Sequence, residues 1–295
     1  MKQMFTAIIT ALLLMSANTV YAFENPAYSA PATVTYINAY DYIISDIYAN
    51  SGLSRYIALQ FINHAEEFSL SGFPEAADVN ILIDALCEAY YQNNAYIGGI
   101  ELNQIMFDFS SLTIRIPYAL TGEEQKQLQE YVITKANTVT GQIIAPGMSD
   151  FQKSEAINNY LCQTSEYDQT AKEALLSMPR GKMISDTHKY SQTAYGVLAD
   201  GLGICQSFAE AFKVLASRAG LKSIVVTGVI NGIGGHEWNR VYIDGQWYTL
   251  DVSNNANLHM NKFLNISDEI AQIYFTEDNR HVLDSELYRF KAIGI

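Results

Sequence analysis

"DGLGICQSFAEAF", residues 200–212, decides how the second half of this chain is read. Two glycines, Gly201 and Gly203, lead into an apolar stretch, and Cys205 stands at the join. Beyond it Phe208, Phe212, Leu215 and Ala219 recur at helical spacing, and Gly220 follows. This pattern is that of a buried helix with Cys205 in its first turn. A sulfur there faces the positive end of the helix dipole and unpaired backbone N–H groups. Such surroundings favour the thiolate, the form in which cysteine acts as a nucleophile. A small apolar residue can also open a buried helix, so position alone leaves packing and chemistry both open.

A nucleophilic cysteine needs a histidine, and the histidine needs an orienting carboxylate. One of the five histidines lies in "GIGGHEWNRVYIDGQWYTLDVSNN", residues 232–255. Asp244-Gly245 between two β-rich runs is a strong hairpin signal. A turn centred there pairs Ile243 with Gln246, sets Trp238 opposite Asp251 and sets His236 opposite Ser253. His236, Trp238 and Asp251 then share one face. His236 and Asp251 become diagonal neighbours, with Cβ atoms roughly 7 Å apart. Each residue also has an ordinary reading: a structural histidine, a core tryptophan, an aspartate that ends a strand. All three features together, in the chain order Cys, His, Asp, point to Cys205, His236 and Asp251 as a catalytic triad.

The remaining sequence frames this site. "MKQMFTAIITALLLMSANTVYA" has a basic Lys2, an apolar run and small-residue exits at Ala17 and Ala22, the layout of a secretory signal peptide. Residues 1–22 are therefore expected to be a cleaved signal and the protein to be secreted or extracytoplasmic, with no membrane anchor afterwards. Residues 54–68 and 76–92 read as helices. "QIMFDFSSLTIRIPY" alternates. It places Ile105, Phe107 and Phe109 on one face with Leu112, Ile114 and Ile116 across a Ser-Ser turn. Thr121 with Glu124, and Ser149 with Gln152, form capping-box patterns ahead of two further helices. Pro146 and Gly147 separate those helices and mark a candidate boundary, giving an α+β accessory region at 23–145 and a catalytic domain with a C-terminal extension at 146–295. Residues 169–193 read as a polar loop beside the cleft.

The formal net charge of −13 argues against nucleic acid and anionic lipid as partners. Three cysteines, an odd count, leave at least one thiol without an intramolecular partner. Cys87 and Cys162 read as unpaired and buried. His259 and His281 stand alone, and no calcium loop of spaced Asp and Asn ending in Glu is present, so neither metal nor cofactor is implied.

The stretch "AYGVLADGLGICQSFAEAFKVLASRAGL", residues 194–221, with "HEWNRVYIDGQWYTLDVSNN", residues 236–255, resembles the core of the transglutaminase-like superfamily of papain-like thiol enzymes. "MSDFQKSEAINNYLCQTSEYD", residues 148–168, is similar to the segment that precedes this core in secreted bacterial members. The resemblance covers about residues 148–265. It implies an α+β, papain-like fold in which the nucleophile helix packs on an antiparallel sheet. It also implies Cys205 as nucleophile, His236 as base and Asp251 as orienter. The reaction implied is acyl transfer from a protein or peptide amide, with hydrolysis favoured over cross-linking to an amine. A non-catalytic binding module is the reading of a different class. The oxyanion is expected at the Cys205 backbone N–H, with Gln192 as a candidate side-chain donor and Trp238 as a wall of the cleft. Two positions depart from the family pattern: Ser207 stands where glycine is common and Glu237 where alanine is common. Ser207 is expected to narrow the approach to the thiol, and Glu237 to point away from it.

Overall fold

The computed structural model describes residues 39–100, 104–177, 188–232 and 234–278. The expected signal segment, His281 and residues 178–187 of the expected loop lie outside these ranges.

The first half opens with α1 (Ala39–Asp46) and α2 (Gly52–Ile62). Ser51 caps α2 by accepting the Ser54 N–H. The helix expected to run through Phe68 ends six residues earlier. His64 adopts a positive φ of 56°, which no helix continues through. The chain then extends, and Phe68 belongs to strand β1 (Glu67–Ser69). Helix α3 (Val79–Tyr91) follows, capped by Asp78. Strands β2 (Met106–Asp108) and β3 (Thr113–Arg115) form the expected hairpin, with Phe107 opposite Ile114, and β1 joins on the far side of β3. The expected apolar face does not reach Phe109, which is 41% exposed. Asp108 accepts hydrogen bonds from the Ser110 N–H and the Ser111 hydroxyl, and Leu112 takes a φ of 50°, so alternation fails at the turn.

Helices α4 (Gly122–Ile143) and α5 (Asp150–Thr164) each start with a complete capping box, at Thr121/Glu124 and Ser149/Gln152. Strand β4 (Glu166–Tyr167) follows, then α6 (Gln169–Ser177), which occupies the start of the expected loop. Strand β5 (Leu202–Gly203) pairs parallel with β4 and leads into α7 (Cys205–Arg218). The main sheet is antiparallel in the order β8-β7-β6-β9, with β6 at Ser223–Ile230, β7 at Gly234–Ile243, β8 at Gln246–Leu250 and β9 at Phe275–Glu277. Helix α7 lies against this sheet, and the Asn239 amide of β7 donates to the Ala209 carbonyl of α7 at 2.9 Å. The protein is thus α+β, with the helix that begins at Cys205 packed on an antiparallel sheet.

Between β8 and β9 come α8 (Val252–Leu258) and α9 (Asp268–Tyr274). This segment covers a second apolar cluster of Ile224, Val226, Trp238, Trp247, Phe263 and Phe275. Gly228 makes that packing possible. A Cβ there would fall 2.2 Å from the Thr276 carbonyl oxygen and 2.8 Å from the Trp238 ring.

The helices on either side of residues 143–150 share one apolar core. Leu53, Ile57 and Phe61 join Val132, Leu161, Phe212 and Val241 in a continuous cluster. Polar contacts span the same junction. Where β9 stops short of the β6 edge, the Gln92 side chain takes the place of a strand. Its amide donates to the Val225 carbonyl at 2.6 Å, and its oxygen accepts the Val225 N–H at 3.1 Å. A buried open edge would otherwise leave both backbone groups unpaired.

Candidate active site

Cys205 is the first residue of α7, preceded by Ile204 in extended conformation with no side-chain cap. The first backbone N–H groups of this turn therefore lack intrahelical partners. The segment holding Cys205 is fixed from beneath. Ser207 is fully buried; its hydroxyl donates to the Thr193 carbonyl and accepts the Val197 N–H at 3.2 Å. Ser207 also fills the space at Gly203, where a Cβ would lie 2.4 Å from the Ser207 oxygen. The expectation that Ser207 narrows the approach to the thiol is therefore corrected: the side chain turns inward and anchors the loop.

The hairpin register is the one the Asp244-Gly245 turn implies: Ile243 pairs with Gln246 and Asn239 with Leu250. Both turn residues have positive φ, 48° and 87°, as a two-residue hairpin loop of this kind requires. The ladder ends at Leu250. Asp251 then caps α8 rather than extending β8, so Ser253 lies in a helix and does not pair with His236. The Asp251 carboxylate serves two structures at once. Its Oδ1 accepts the Asn254 N–H at 3.0 Å and the Ser253 hydroxyl at 2.8 Å, and its Oδ2 meets His236 Nε2 at 2.7 Å. Amide side chains brace α8 from below: Asn255 donates to Asn158 of α5 at 2.9 Å and accepts the Phe263 N–H at 2.8 Å.

With Nε2 engaged by Asp251, Nδ1 is the ring nitrogen left for the nearby thiol of Cys205. The ring stacks near Trp238, with centroids 5.9 Å apart and planes 20° apart. Burial alone would push the His236 pKa down. The Asp251 charge and hydrogen bond, aided by Cys205, outweigh it and raise the value to about 10. Burial pushes Asp251 up, but the His236 charge, its hydrogen bond and the α8 cap bonds leave it below the usual carboxylate range. An imidazolium held between a carboxylate and a thiol is the resting form these interactions favour.

The other residues expected at the site fall differently. Trp238 is 1% exposed, inside the second apolar cluster. It backs His236 and offers no cleft wall. Gln192 points its amide at Gln206 Oε1, 3.5 Å away. Glu237 turns to the opposite side of β7 from His236, as the strand's alternation requires. It lies within reach of the charge of Glu210 of α7. Burial, reinforced by that neighbour, raises the Glu237 carboxyl to about 8. The Cys87 side chain is buried and that of Cys162 half-buried. Burial and then the Asp251 charge push Cys162 up to about 11.

One group at the site was not anticipated. Tyr167 of β4 lies opposite Gly203 in the β4–β5 pair, which brings it near Cys205. Burial, then the Cys205 charge, raises the phenol well above its ordinary value. The neighbouring Asp168 locks this segment, accepting the Ser191 hydroxyl at 2.9 Å and the Ala171 N–H at 2.8 Å.

The residues of this site lie within a stretch that matches a known family model. Residues 137–252 match the family model described as the transglutaminase-like superfamily. Kyphoscoliosis peptidase of Mus musculus is 24% identical over 168 residues, covering 52% of this chain and 23% of the relative's length. The chain thus spans less than a quarter of that relative. Among solved structures, a TGase is 22% identical with a TM-score of 0.35, covering 46% of this chain and 34% of the other. A candidate cysteine protease from Cytophaga hutchinsonii is 17% identical with a TM-score of 0.32, covering 50% and 40%. With Cys205, His236 and Asp251 all inside the matched residues, the chain carries, at residues 137–252, a domain of the transglutaminase-like superfamily.

Proposed function

We propose that this protein is a secreted thiol-dependent acyl-transfer enzyme acting on protein or peptide amide bonds, with water as the usual acceptor. The observation that carries the reading is the His236 Nε2–Asp251 Oδ2 contact of 2.7 Å beside a cysteine at a helix N-terminus. The Cys205 thiolate attacks the carbonyl carbon. The Cys205 backbone N–H stabilises the oxyanion, and His236 gives its proton to the departing amine. Water, activated by His236 once it is neutral, then releases the acid. Asp251 keeps the ring oriented and balances its charge. The secretory reading of residues 1–22 belongs to the same proposal.

A glutamine-containing peptide incubated with the protein and a fluorescent amine separates the outcomes. Released ammonia or cleaved peptide without coupled amine is the expected result, and it is lost in Cys205→Ala. Amine coupling in step with ammonia release would make the protein a cross-linking enzyme. No Cys205-dependent product from this or a panel of peptides would favour a binding module.

A further inference from the structure

We infer that Asn254 is a positioning residue for this site: its side-chain amide donates to the same Asp251 oxygen that holds His236, and so sets how firmly the imidazole keeps its proton. The inference rests on the acyl-transfer reading above and assigns a residue that the reading leaves out.

Asn254 is the third residue of α8, counted from the cap at Asp251. At that place a capping box would send a side chain back to the backbone N–H of the cap. Here that N–H is already taken, because Asp251 donates it to the Phe263 carbonyl at 3.1 Å. The Asn254 side chain turns to the Asp251 carboxylate instead, and its amide nitrogen donates to Oδ2. His236 Nε2 meets the same oxygen at 2.7 Å, and the amide nitrogen stands 3.4 Å from Nε2. That separation is no hydrogen bond of its own, since both nitrogens direct their hydrogens at Asp251. It marks two donors crowded on one acceptor. The amide cannot be turned round, because its oxygen would then face a carboxylate oxygen with no hydrogen between them. Asp251 is 1% exposed, so protein donors rather than water share out its charge. A donor to a carboxylate favours the ionised form, and Asp251 therefore does not take the His236 proton. The same donor draws on the charge that stabilises the imidazolium, so Asn254 limits how tightly that charge grips His236. An imidazolium gripped too tightly is a poor acid for the departing amine. The titratable groups around the pair are Cys205 at the start of α7, Cys162 of α5, Tyr167 of β4 and Glu237 of β7 itself. Asn254 is uncharged and acts on His236 through Asp251, whatever the state of these groups.

Asn254→Leu removes the donor, fills its space and keeps the backbone N–H that caps α8. The hydrogen between His236 Nε2 and Asp251 is read by proton NMR of protein carrying isotope-labelled histidine, and is assigned by its loss in His236→Ala. It is expected at lower field in Asn254→Leu than in wild type, because a carboxylate oxygen relieved of one donor binds the other more strongly. The hold of His236 on its proton is read from Cys205 itself. Iodoacetate is an anion and gains from the imidazolium, whereas iodoacetamide is neutral and reports the thiolate. The ratio of the two alkylation rates, mapped to Cys205 by peptide mass spectrometry, therefore falls as His236 loses its proton. In Asn254→Leu that fall is expected on the order of one pH unit higher. An unmoved resonance with an unmoved fall overturns the inference. So does slower alkylation by both reagents at every pH with the fall unmoved, which would assign Asn254 to packing. Should Asn254→Leu lose its cooperative melt, Asn254→Asp keeps the shape, is favoured in the first turn of a helix and replaces the donor by an acceptor. Its fall is expected at higher pH than in wild type, and a fall at the wild-type pH overturns the inference. None of these measurements needs a substrate. Wild-type Cys205 that is alkylated but never acetylated by p-nitrophenyl acetate would instead sink the acyl-transfer reading.

Discussion

Asp251→Asn lowers turnover on the order of 10³–10⁴-fold and leaves the fold in place. The two halves of this expectation come from the two oxygens of one carboxylate. Oδ1 caps α8 through the Asn254 N–H and the Ser253 hydroxyl. Asparagine caps a helix about as well as aspartate, so α8 keeps its start. Oδ2 holds His236 Nε2, and there an amide is no substitute. It carries no charge to balance the imidazolium, and its NH₂ group favours the wrong tautomer. The His236 pKa, raised to about 10 against the cost of burial, owes most of that rise to Asp251, so it falls in the variant. Turnover of a folded Asp251→Asn protein is the measurement. Wild-type rates in a variant with a wild-type melt would remove Asp251 from the mechanism.

A chain that begins at Gly147 keeps Cys205, His236 and Asp251 yet fails to fold cooperatively. The shared core is the reason. Removing Leu53, Ile57, Phe61 and Val132 uncovers Leu161, Phe212 and Val241, each at most 1% exposed in the whole protein. Uncovering one such side chain costs about 1.5–3 kcal/mol. Total stability of a domain is only about 5–15 kcal/mol, so a few uncovered residues suffice. The same truncation strips Gln92 from the β6 edge and leaves Val225 without its two hydrogen bonds. Solubility and the thermal melt of the shortened protein decide the matter. A soluble protein with a sharp melt and full thiol reactivity would show that the second half stands alone.

The site was legible in the sequence wherever local rules act. Asp244-Gly245 fixed the β7–β8 register because only a left-handed turn closes so short a loop, and that register carried His236 and Asp251 to the same side. Gly203 before Cys205 and the apolar period after it located helix α7, and two capping boxes located α4 and α5. Periodicity failed where a backbone torsion interrupts it, at His64 and Leu112. It also failed at Asp251, where a capping bond outcompeted one more ladder pair. Tyr167 was out of reach for a different reason. Its approach to Cys205 depends on a two-residue parallel pairing between segments far apart in the chain, and no local pattern announces such a contact. Trp238 was placed correctly on the strand but misjudged in depth. What buries it is Phe275 on β9, 4.8 Å away, a strand the hairpin alone does not reveal.

Cys205, rather than either of the other two thiols, is expected to be the reactive one, because it starts α7 beside His236. Limiting iodoacetamide at pH 6, followed by peptide mapping, tests it most directly. Cys162 is half-buried with its thiol pushed up to about 11, and Cys87 is buried in the first half of the chain. Cys205 is expected to be carboxamidomethylated well before either, and His236→Ala is expected to erase most of that lead. Labelling of Cys205 at the same rate as Cys87 and Cys162, or more slowly, would contradict an activated nucleophile at this site.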